Sequence, residues 1–80
     1  LYVTVCLDVF PAAYAPGVSA PAGLGVEPTV IFKVLEYLQT EVNRQNKSIL
    51  LADVAEMNPK KDTDNRTAKL AARYVHSMII

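Results

Sequence analysis

The sequence predicts an α/β fold in the order strand, helix, strand, helix with a parallel sheet, and three observations lead there. An apolar run at the start, Leu1-Tyr2-Val3-Thr4-Val5-Cys6-Leu7, ends at the carboxylate Asp8. A second run, Ser48 to Ala55, ends in the same way at Glu56. Between them Ile31, Val34, Leu35, Leu38 and Val42 recur at helical spacing. A strand, crossover helix and parallel strand form a right-handed unit in nearly all known cases. Both carboxylates are therefore expected at one edge of the sheet, the carboxyl edge, where open α/β sheets place their ligands.

The first run is β-branched, aromatic or apolar almost without a break, as expected of a strand buried on both faces of a parallel sheet. Asp8 to Gly25 follows as a turn-rich loop, DVFPAAYAPGVSAPAGLG, whose prolines restrict the backbone and whose glycines allow sharp turns. A loop of this length in a compact domain is usually functional. Pro28 suits the first turn of a helix, which the periodicity extends over residues 28 to 44. Gln45, Asn46 and Lys47 make a polar break, and Ser48 to Ala55 reads as a second buried strand. The last helix is expected to start near Asp62 to Asp64, where aspartates accept hydrogen bonds from unpaired amides and complement the helix dipole. Leu70, Ala71, Tyr74, Val75, Met78 and Ile79 form its apolar stripe. The tyrosines, Tyr14 excepted, read as packing.

Eighty residues, 51% of them hydrophobic, allow one small domain whose core leaves little stability to spare. The sequence has no initiator Met and begins inside a strand, so a piece of a longer protein or a processed product is expected. Formal net charge is zero and the basic residues are scattered, so nothing resembles the electrostatic footprint of a nucleic-acid binder. No apolar run approaches the roughly 18 residues of a membrane span, and the opening stretch lacks the pattern of a signal peptide. A single Cys excludes an internal disulfide framework and fits a reducing compartment, which makes the cytoplasm the expected location.

Thr4-Val5-Cys6-Leu7-Asp8, then Ala12, Pro16-Gly17 and Gly25, resembles the C-terminal metal-binding signature of the ureohydrolase (arginase/agmatinase) superfamily, with agreement in spacing throughout. Thr4 stands in place of Ser, and Cys6 in place of the signature's first aspartate. Downstream, Asp53-Val54-Ala55-Glu56-Met57-Asn58-Pro59 is similar to the family's Asp-x-x-Glu-x-Asn-Pro strand end, and Asp62 to Ala68 to the segment that opens its last helix. The wording of Pro11 to Ala22 is closest to the formimidoylglutamase branch. The resemblance implies that residues 1–80 are the C-terminal segment of a ureohydrolase domain, with an upstream part absent. It also implies a place in a three-layer α/β/α arginase-like fold with a parallel sheet.

Asp8 is the strongest candidate metal ligand. A hard carboxylate suits Mn²⁺, and two such ions about 3.5–4 Å apart can activate water at neutral pH. The competing role is an Asp that caps its own turn. Cys6 is a second metal candidate, since the matching family position carries an aspartate. A thiolate is soft and offers one donor atom, so a second ion could be weakened, replaced or absent. Cys6 could instead be a small buried hydrophobe, or a nucleophile if a base lay nearby; the sole His, His76, falls late in the last helix. Glu56 resembles the family residue that binds the substrate's guanidinium or amidinium, because a carboxylate accepts two parallel N–H bonds from such a cation. The alternative is an ion pair with Lys60 or Lys61. Asp53 is expected to support the site through hydrogen bonds behind the ligands, or to bond a loop. Pro16, Gly17, Val18 and Ser19 are expected to form a wall of it.

By resemblance, the full-length protein hydrolyses N-formimidoyl-L-glutamate to L-glutamate and formamide, a late step of histidine degradation, with two Mn²⁺ ions. The alternatives are an agmatinase- or arginase-like guanidino hydrolase, or a truncated fragment acting only through association. The expected partners are a small amidine substrate and either further copies of the chain or the missing N-terminal part. The family's upstream His ligand, its Asp-x-His-x-Asp segment and its proton-shuttle His are not in this sequence. The segment therefore holds no catalytic residue of its own and is expected to be inactive alone.

Overall fold

A computed structural model describes residues 1–79. Strand β1 (Tyr2–Cys6) leads into a 3₁₀ turn (Leu7–Val9), and helix α1 (Pro28–Arg44) follows the long loop. Strand β2 (Leu51–Ala55), a second 3₁₀ turn (Pro59–Lys61) and helix α2 (Arg66–Ile79) complete the order. The strands pair in parallel, Tyr2 opposite Leu51 through Cys6 opposite Ala55. The strand-helix-strand-helix order and the bounds of α1 match the expectation.

Three details differ. β1 is not buried on both faces: Val3 and Val5 point into the core while Tyr2, Thr4 and Cys6 are exposed. The reason is coverage, since Leu35 of α1 and Tyr74 of α2 join Val3 and Val5 in one core, and among the described residues no helix covers the opposite sheet face. β2 is likewise only half-buried, and it starts at Leu51 rather than Ser48, where β1 begins to offer pairing partners. The expected stripe of α2 is buried at Tyr74 and partly buried at Leu70, Ala71 and Met78, but Val75 and Ile79 are exposed.

An aromatic stack joins the helices to the first turn. Tyr74 lies between Phe10 and Phe32, with ring centroids at 5.3 Å and 4.4 Å. Its hydroxyl donates to the Pro28 carbonyl at 2.8 Å, and burial pushes its pKa up to about 12. Tyr74 packs as expected, whereas Tyr2 and Tyr37 are exposed.

Two glycines of the loop have no substitute. Gly25 sits at φ +68°, and a Cβ there would lie 2.7 Å from the Val9 carbonyl. Gly17 is buried so closely that a Cβ would lie 2.6 Å from Asp62 Cβ and 2.9 Å from Thr67 Oγ1.

Candidate functional site

Parallel pairing brings the ends of β1 and β2 to one sheet edge, so Asp8 and Glu56 both follow carboxyl ends of adjoining strands. Asp8 rides on the 3₁₀ turn, anchored on either side by the fully buried Leu7 and Phe10. The Val26 amide donates to the Val9 carbonyl at 2.8 Å and returns the long loop to this turn. Oδ1 of Asp8 is buried with no hydrogen-bond partner among the described residues. A buried carboxylate oxygen without a donor is costly, and a cation is one group that would satisfy it. No turn-capping bond uses that oxygen, so the donor fits a hard metal ion.

Cys6 is a free, exposed thiol on the open face of the sheet. Among the described residues no helix covers this face, so Cys6 is not buried within residues 1–79. It borders an apolar groove of about 270 Å³ with Thr4, Val5, Val9, Ile31, Val34 and Leu35. Among the described residues, no three His, Cys, Asp or Glu side chains converge as a metal-binding group.

Glu56 is exposed and takes φ +74°, a left-handed conformation uncommon for a non-glycine residue. Such backbone persists only where its surroundings impose it, and it clusters at functional positions. Among the described residues Glu56 forms no ion pair with Lys60 or Lys61; the ion pairs found are Glu41 with Arg44 and Asp64 with Arg66.

Asp53 makes its bonds to the neighbouring strand rather than to a loop. The Tyr2 and Thr4 hydroxyls donate to its two carboxylate oxygens, latching β1 to β2 on the open face. These bonds, Thr4's first, hold the Asp53 carboxyl below the usual range.

The site loop is fastened by its backbone. The Gly17 amide donates to Thr67 Oγ1 at 2.8 Å, and the Gly17 carbonyl accepts from the Asn58 amide at 2.6 Å. Asp62 in turn accepts from the Thr67 and Ala68 amides at 3.0 and 2.9 Å, capping α2. Burial acts to raise the Asp62 carboxyl pKa, but these amides and the Thr67 hydroxyl outweigh it, and the net shift is downward. Asp64, held by the Arg66 guanidinium, falls to about 2. Within the loop, Val18 is fully buried in the core and so anchors the wall rather than facing the site, while Ser19 is exposed. Sequence reasoning missed Thr67 and the left-handed Glu56. No residue-type signal marks either, since a threonine in a helix's first turn is ordinary.

Residues 1–80 match the model of the Arginase family over their whole length. The chain belongs to the arginase family. The formimidoylglutamase of Photobacterium profundum is 54% identical over 74 residues, 91% of this chain and 20% of the relative. That of Aeromonas hydrophila subsp. hydrophila is 51% identical over 79 residues, 99% of this chain and 24% of the relative. The arginase of Medicago truncatula superposes with a TM-score of 0.78 at 34% identity, over 96% of this chain and 22% of that one. This arginase-family chain thus has the arginase-like α/β fold and spans about a fifth to a quarter of the length of its relatives. Among the described residues no helix is long and apolar enough to cross a membrane.

Proposed function

We propose that this chain is the C-terminal segment of an amidine hydrolase that converts N-formimidoyl-L-glutamate and water to L-glutamate and formamide. The observation that carries the reading is the placement of Asp8, with its unclaimed buried oxygen, and Glu56 just beyond the paired Cys6 and Ala55 at one edge of a parallel sheet. The choice of substrate is supported by the likeness to formimidoylglutamases over nearly the whole chain.

Asp8 would hold Mn²⁺, with its remaining ligands drawn from the upstream portion. When bound, the ions supply activated water at neutral pH. Cys6, exposed beside the turn, is read as lining this site and as a weaker, softer donor than the aspartate of the family pattern. Glu56 accepts two N–H bonds from the planar amidinium and orients its carbon. Pro16 and Ser19 border the site, while Gly17 and Val18 hold that wall in place. The open sheet face, with Tyr2 and Leu51 more than half exposed, is read as the surface that meets the rest of the polypeptide.

The test is product analysis on the full-length protein loaded with Mn²⁺. Formamide from N-formimidoyl-L-glutamate is the expected product. Urea from agmatine or arginine would replace this reading with a guanidino hydrolase, and a metal-free, inactive protein that oligomerises would reduce the chain to a structural relative.

A further inference from the structure

The contacts of Gly17 connect two segments that the proposed site depends on. Its carbonyl accepts from Asn58, two residues beyond Glu56, and its amide donates to Thr67 in the first turn of α2. Both polar backbone groups of Gly17 are therefore taken up by the chain that follows β2. Gly17 itself belongs to the loop that leaves Asp8. Thr67 is fully buried, and the absence of a Cβ on Gly17 is what lets its hydroxyl approach. Among the described residues the Glu56 side chain makes no hydrogen bond, and its left-handed backbone is held between Ala55, paired with Cys6 in the sheet, and the Gly17–Asn58 bond two residues further on.

We infer that Thr67 is a positioning residue: its buried hydroxyl fixes the Gly17 peptide, and through Asn58 it fixes Glu56 toward the amidinium. The inference rests on the amidine-hydrolase reading and adds to it a residue outside the site. Thr67 touches neither substrate nor metal in this scheme. Its removal should weaken ground-state orientation by Glu56, and so raise KM more than it lowers kcat.

The experiment compares full-length wild type, Thr67→Val and Thr67→Ser in formamide release, with manganese content measured on the same samples. Thr67→Val keeps the shape but leaves the Gly17 amide unpaired. The expected result is a KM raised about tenfold in Thr67→Val, the loss expected when the charge-assisted Glu56 bond is misdirected. Manganese content is expected unchanged, and Thr67→Ser is expected to restore KM to near the wild-type value. If Thr67→Val fails to fold, Thr67→Ala, which leaves room for a water at the amide, takes its place under the same criteria. A folded variant with wild-type KM, a Thr67→Ser as impaired as Thr67→Val, or loss of fold in both Val and Ala variants overturns the inference. A wild type that binds manganese but releases no formamide overturns the hydrolase reading itself, and this inference with it.

Discussion

Replacing Gly17 with Ala tests the packing of the loop against α2, and its cost follows from the contacts at that position. The new Cβ would sit 2.6 Å from Asp62 Cβ and 2.9 Å from Thr67 Oγ1, where ordinary contact begins at 3.4 Å. Neither neighbour can yield freely: Asp62 is 7% exposed and Thr67 is fully buried. Residue 17 must therefore retreat by close to an ångström. That stretches its amide bond to Thr67 from 2.8 Å beyond the roughly 3.2 Å limit of a good N–H···O bond. Overpacking costs about 1–3 kcal/mol and the lost hydrogen bond about 0.5–1.5 kcal/mol, so a loss of about 1.5–4.5 kcal/mol is expected. Urea unfolding of the full-length protein measures it, with Gly23→Ala as the control, because nothing lies within 4 Å of a Cβ at Gly23. The control should stay within about 0.5 kcal/mol of wild type. A Gly17→Ala protein as stable as the Gly23→Ala protein would show that the loop does not pack this closely against Asp62 and Thr67.

Further outcomes follow from the same structure. Glu56→Gln, which keeps shape but removes charge, should lower kcat/KM for the amidine about tenfold, mostly through KM, as expected when a charge-assisted bond becomes neutral; an unchanged KM would contradict its role. Asp64 has its folded pKa depressed to about 2 from 3.8, so the stability it contributes is complete above pH 3.8 and lost as pH falls through about 2. Titrating that carboxyl by NMR should give a midpoint near the lower value, and a midpoint at 3.8 would contradict the Arg66 contact. Tyr74→Phe keeps the ring between Phe10 and Phe32 but removes the hydroxyl's bond to the Pro28 carbonyl, and should cost about 0.5–1.5 kcal/mol in urea unfolding; no measurable loss would show that the hydroxyl bond contributes nothing.

What was legible in the sequence was what local chemistry writes directly. Helix α1 runs over the predicted residues because Pro28 sets its first turn and the polar Gln45-Asn46-Lys47 follows its last periodic residue. The capping aspartates of α2 were readable because Asp62 and Asp64 do what short carboxylates do before a helix. The start of β2 was not readable, because pairing depends on where β1 begins rather than on Ser48-Ile49-Leu50 themselves. The exposed face of β1 was missed because an apolar sequence records what a complete fold buries, whereas among the described residues helices cover one face only. Gly17 was legible as a motif position but not as a contact. Its partner Thr67 lies 50 residues away, and only the folded chain brings the two together.

The central claim is that Asp8 is a metal ligand of an amidine hydrolase, and the most direct measurement is manganese content beside formamide release in full-length wild type and Asp8→Asn. Bound Mn²⁺ and formamide release are expected in wild type. A folded Asp8→Asn protein should lose more than the roughly 10–100-fold in manganese affinity and activity typical of changes around, rather than at, a metal ligand. An Asp8→Asn protein with wild-type manganese and wild-type formamide release would contradict the claim.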